Sequence, residues 1–144
     1  MVLHGSCRCG NIHLALSTDM EAAAFTPRAC DCDFCVERGA AWMSDPAASL
    51  SLTVKNRDDL ELQKQGSETA DFWVCKACGT VVCVTADLNG RRFATINARA
   101  MDDRHSFQAP VPASPKLLAA DEKQARWAKL WIGCVTVRDA LSIG

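Results

Sequence analysis

Nine cysteines stand in a chain of 144 residues, and seven of them fall in tight groups. The groups read Cys7-Arg8-Cys9-Gly10, Cys30-Asp31-Cys32-Asp33-Phe34-Cys35 and Cys75-Lys76-Ala77-Cys78-Gly79. The total is odd, and at about 6% of residues it lies below the ~8–10% of small disulfide scaffolds. A chain of this length can also bury a core without staples. Metal coordination is therefore the better reading of the clusters. Residues i and i+2 of an extended segment point to one side, so Cys-x-Cys presents two thiolates to one ion. A Cys-x-x-Cys-Gly turn does so by wrapping backbone around a sulfur, which its glycine allows through the left-handed conformation. Soft thiolates at these spacings select zinc over hard cations.

Pairing Cys7 and Cys9 with Cys75 and Cys78 gives a closed four-thiolate set, the composition of a structural zinc site with no vertex left for chemistry. It would close a loop of 66 positions between Cys9 and Cys75, and metal binding would offset the entropy of that closure. Cys30, Cys32 and Cys35 form a group of three. Three protein ligands and a vacant vertex make a catalytic zinc; a fourth ligand from Cys83, Cys134, His4, His13 or His105 would make a second closed site. The residues alone leave both open. A redox role for Cys32/Cys35 or Cys75/Cys78 is weaker, since neither pair opens a helix in a βαβ pattern.

The elements that must hold these groups are mostly short strands. Apolar residues alternate with polar or small ones from Ile12 to Leu16 and at Leu50, Leu52 and Val54. Ala40 to Met43, Leu60 to Gln63, Ala70 to Val74, Thr80 to Thr85 and Arg92 to Ile96 follow, bounded by Asp45-Pro46, Gln65-Gly66 and Asn89-Gly90. Asn89-Gly90 signals a hairpin because both residues accept positive φ. This pattern predicts a mainly β domain over residues 1–108. Residues 109–144 form a proline-rich connector, Ala109 to Pro115, and a C-terminal helix packed on the same domain. Ser114 would cap that helix and Pro115 would open it. Leu117, Ala120, Gln124, Trp127, Ala128 and Trp131 then share one face until Gly133. Such a face docks on the sheets or on a second subunit, which would make a homodimer.

Sixteen Lys and Arg against seventeen Asp and Glu leave a net charge of −1, without the basic excess that marks nucleic-acid binding. No run reaches the ~18 apolar residues of a membrane span, and the segment from Met1 to Gly10 lacks the apolar region of a signal peptide. The expected setting is the reducing cytoplasm, with no nucleic-acid or membrane partner.

Taken in order, Gly5-Ser-Cys7-Arg-Cys9-Gly10, Cys30-Asp-Cys32-Asp-Phe-Cys35-Val-Glu-Arg38-Gly39, Phe72-Trp-Val-Cys75-Lys-Ala-Cys78-Gly79-Thr80 and Ile96-Asn97-Ala-Arg-Ala-Met101-Asp102-Asp103 resemble the glutathione-dependent formaldehyde-activating enzyme family, which includes centromere protein V. The resemblance covers about residues 3 to 107. It implies several coiled antiparallel β-sheets, a structural zinc on Cys7, Cys9, Cys75 and Cys78, and a labile catalytic zinc on Cys30, Cys32 and Cys35. Two zinc ions per chain are thus expected. The chain departs from the family in having no tyrosine and in carrying Val36-Glu37 where two basic residues often stand, leaving Arg38.

A zinc ion with three thiolates carries a net charge of about −1, so it acidifies bound water less than histidine-rich sites do. A substrate thiol competes better for the open vertex. The implied reaction is reversible addition of a small thiol, glutathione in the type members, to an aldehyde, or cleavage of the adduct: a carbon–sulfur lyase. Arg38 is the cation best placed in sequence for an anionic thiol, ahead of Arg99 and Lys76. Asn97 either positions substrate or satisfies backbone groups at its strand end. The alternative function is a zinc-stabilised binding module of the same fold without catalysis.

Overall fold

Alternation at Ile12–Leu16 and Leu50–Val54 requires that one face of each strand be covered, and the chain meets this with two sheets that share a core. The computed structural model describes residues 1–31, 33–64, 70–113 and 119–139. In chain order the elements are β1 (Val2–Ser6), β2 (Ile12–Ser17), β3 (Arg28–Cys30), α1 (Asp33–Arg38), β4 (Trp42–Met43), β5 (Ser49–Val54), β6 (Leu60–Lys64), β7 (Asp71–Cys75), β8 (Val81–Leu88), β9 (Arg91–Asn97), β10 (Val111–Ala113), α2 (Ala120–Leu130) and β11 (Cys134–Asp139). One sheet has the order β1-β2-β5-β11 and the other β10-β3-β4-β9-β8-β7-β6. Most neighbours are antiparallel, as the alternating pattern and short turns lead one to expect, but β10–β3 and β11–β5 pair in parallel, so both sheets are mixed. Among the described residues, no helix is long and apolar enough to cross a membrane.

The centre of the seven-stranded sheet is buried on both faces, which is why β8 reads as a nearly unbroken apolar run. Trp73, Cys75, Ala94 and Ile96 join Leu14, Leu16, Leu50 and Leu52 in the core between the sheets. Their strand neighbours Phe72, Val74 and Phe93 point the other way, into a second cluster with Trp42, Cys35 and Trp131. The β8–β9 hairpin turns on Asn89 (φ 52°) and Gly90 (φ 79°), as the dipeptide predicts.

Gly5 packs tightly against the segment after β9. It bridges Met101, and the amide of Asp102 donates to the carbonyl of His4 at 2.9 Å. A Cβ there would meet Met101 Sδ at 2.6 Å and the Ala100 carbonyl oxygen at 2.7 Å. Gly5→Ala should therefore lower stability by about 2 kcal/mol or more, read as a lower urea midpoint. An unchanged midpoint would show that β1 can move away from Met101 without loss.

The carboxy-terminal third differs from its expected form. Ser114 and Pro115 lie outside the described residues, as do Leu117 and Gln65-Gly66; the described helix begins at Ala120, where the Glu122 carboxylate accepts from the amide of Ala119 at 3.3 Å. Trp127 and Trp131 stack at 4.7 Å, with Trp131 buried and Trp127 half-buried, whereas Ala128 is exposed. After Gly133 the chain does not stop being structured. Ile132 bridges Ala94, and residues 134–139 pair with Ser49–Val54.

Candidate metal centre

Two loops from two sheets bring the first four cysteines together. Cys7 and Cys9 lie in the β1–β2 connection, where Gly10 at φ 82° turns the chain, its amide donating to the Cys7 carbonyl at 3.0 Å. Cys75 ends β7, and Cys78 lies in the turn to β8, where Gly79 at φ 76° donates to the Cys75 carbonyl at 2.7 Å. The four Sγ atoms all lie within 4.8 Å of one another, with Cys7–Cys9 at 3.6 Å and Cys9–Cys75 at 3.5 Å. A tetrahedral Zn–S bond of ~2.3 Å requires sulfurs about 3.8 Å apart, so donor set and spacing fit one metal ion.

The electrostatics are graded across the group. Burial raises the Cys7 thiol and pushes Cys75 up to about 12. Burial pushes Cys78 up as well, but the hydroxyl and amide of Thr80 and the amide of Cys9 outweigh it and hold Cys78 at about 6. Thr80 accepts from the amide of Arg8 at 3.3 Å and lies 3.3 Å from Cys78 Sγ. One thiolate is thus ready at neutral pH, and metal uptake must displace protons from Cys7 and Cys75.

Cys30 and Cys35 sit elsewhere, on the seven-stranded sheet. Cys30 closes β3 and is half-buried; Cys35 is buried in α1, its carbonyl accepting from the amide of Ala40 at 3.0 Å. Cys32 lies outside the described residues. Cys83 is a core thiol of β8, kept protonated by burial, and Cys134 opens β11 on the other sheet. Among the described residues, neither of these nor His4, His13 or His105 joins Cys30 and Cys35 in a ligand group. Arg38 ends α1 one turn beyond Cys35, 3.9 Å from the Glu37 carboxylate. Asn97 is buried at the end of β9; its Oδ1 accepts from the amides of Ala41 (3.3 Å) and Arg99 (3.1 Å), and its Nδ2 donates to the Val81 carbonyl (2.8 Å).

The sequence profile of the glutathione-dependent formaldehyde-activating enzyme matches residues 2–113. The chain belongs to that family. The matched span holds all three cysteine groups, whereas α2 and β11 lie beyond it. A crystal structure of a Rhodobacter sphaeroides protein is similar at a TM-score of 0.57 and 26% identity, covering 76% of this chain and 99% of that one. No curated protein matches the chain.

In this member of the glutathione-dependent formaldehyde-activating enzyme family, residues other than cysteine also hold the cysteine loops, and the spacing argument does not reach them. Asn11 Oδ1 accepts from the Asn56 amide at 2.8 Å and its Nδ2 donates to the Asn56 carbonyl at 3.1 Å, tying the Cys7–Cys9 loop to the end of β5. A polar residue wedged between Gly10 and an apolar strand was the available signal for Asn11. For Thr80 it was the hydroxyl two positions past Cys78.

Proposed function

We propose that the protein is a zinc-dependent carbon–sulfur lyase acting on adducts of a small thiol, glutathione or similar, with an aldehyde. The observation that carries this reading is the family match across a segment in which Cys30 and Cys35 stand apart from the closed four-cysteine group. Cys7, Cys9, Cys75 and Cys78 would hold a structural zinc, and Cys30, Cys32 and Cys35 a second one, two per chain. Zinc held by the second group would supply Lewis acidity that favours the thiolate form of a substrate sulfur. In the overall reaction a carbon–sulfur bond forms as the carbonyl π bond opens, and the thiol proton passes to the oxygen.

The chain's own residues bind and orient. Arg38, three positions after Cys35 on α1, lies on the same helix face and can meet a substrate carboxylate. Asn97 positions by holding Ala41 and Arg99. We read residues 1–108 and 109–144 as one folding unit, since Ile132 and β11 are built into the sheets. The cytoplasm, which keeps nine thiols reduced, is the setting we propose, with a small molecule rather than nucleic acid or membrane as partner.

Cobalt substitution tests the reading. Glutathione titrated into the cobalt protein should change the sulfur-to-metal charge-transfer band until one thiol is bound, and binding should strengthen as pH rises towards the free thiol's pKa of ~8.5. A spectrum indifferent to glutathione would mean a closed second site, and the protein would then be a zinc-stabilised binding module.

A further inference from the structure

A cleft of about 330 Å³ opens at Pro27, just before β3, and Ala41, just before β4, within the ~300–1,000 Å³ of small-molecule sites. Its lining includes Pro27, Ala41, Arg99, Arg104, His105 and Gln108, and no aspartate or glutamate. Asp102 and Asp103 are close in sequence but do not line it. Arg99 and Arg104 are exposed, and neither makes an ion pair with a described residue. Arg104 is steadied by a bond from its Nη1 to the Met101 carbonyl at 3.3 Å. Asn97 fixes the facing walls through the amides of Ala41 and Arg99. The cleft is a cationic recess with two guanidinium groups that make no ion pair with a described residue, the chemistry that selects carboxylates.

The cleft is also at a definite reach from the cysteines. Pro27 on its wall leads directly into β3, which ends at Cys30. Three residues of extended chain span about 10 Å. On the other side, Ala41 follows Ala40, whose amide binds the Cys35 carbonyl. A tripeptide at full stretch also spans about 10 Å. We propose that this cleft is the subsite for a terminal carboxylate of the thiol substrate, with Arg99 and Arg104 as its anion-binding residues. The proposal rests on the thiol-adduct reading above.

The probe is S-methylglutathione, which keeps the carboxylates but has no free thiol to offer a metal. Calorimetric titration into the zinc-loaded protein should show binding that weakens about tenfold or more in Arg99→Gln/Arg104→Gln, as expected for loss of charge-assisted hydrogen bonds. Its diethyl ester should bind both proteins equally weakly. Should the double variant fold poorly, amide shifts of Ala98 and Gln108 in the wild type, induced by S-methylglutathione and not by the ester, give the same test. Equal binding to wild type and variant, or no binding to wild type, would overturn the assignment. Failure of the thiol chemistry shows separately, as a cobalt band unresponsive to free glutathione, and leaves the S-methylglutathione result standing.

Discussion

Cys75→Ser is expected to leave the chain unfolded or insoluble. Cys75 is fully buried, and its sulfur lies 3.5 Å from that of Cys9. Apparent zinc affinities of four-ligand sites amount to ~10–16 kcal/mol, comparable to the ~5–15 kcal/mol net stability of a whole domain. Losing one ligand therefore removes enough to decide whether the fold forms. A metal on these four cysteines would clasp a loop of the four-stranded sheet to a loop of the seven-stranded one, so its loss would loosen both layers. Thermal melting with metal analysis checks this. A variant that melts like wild type would take the structural role away from the four-cysteine group.

Cys30→Ser should behave in the opposite way, keeping the fold while losing turnover. Cys30 is only half-buried at the end of a three-residue strand, and the exchange of sulfur for oxygen there costs about 1 kcal/mol. As one of three proposed ligands it bears directly on the second ion. Since losing even an outer-shell partner costs ~10–100-fold, turnover of a glutathione–aldehyde adduct should fall about a hundredfold or more. Metal content should drop by one equivalent while the melting curve stays close to wild type. Full turnover in the variant would remove the Cys30–Cys35 group from the chemistry.

How far the sequence could be read depended on whether a signal was local. Alternation in β2 and β5 and the Asn89-Gly90 turn are properties of neighbouring residues, and those elements lie where they were expected. The four-cysteine group was legible for the same reason, because each pair carries its own spacing. β3 and β10 are three residues each and hold together through parallel pairing of distant segments, which no local period announces. Val135 and Val137 alternate with Cys134 and Thr136, but the run is short and follows directly on a helical pattern, so its period alone does not mark a strand. The cleft gave no signal at all, since Pro27, Ala41, Arg99 and Arg104 meet only in the fold and a recess arginine reads like any surface arginine.

The parallel pairing of β11 with β5 bears on how the protein is made. Cys134 meets Ser49, 85 positions earlier, so β5 emerges from the ribosome well before the strand that covers its outer side. At ~5–20 residues per second that interval lasts roughly 4–17 s. During it β2 can already pair with one side of β5, but the other side presents unpaired amides and carbonyls that any nascent neighbour could adopt. When β11 arrives it seals that side and substitutes an outer rim carrying Thr136 and Arg138, polar residues that discourage strand-to-strand association. β11 thus shields the edge of β5 from pairing with other strands.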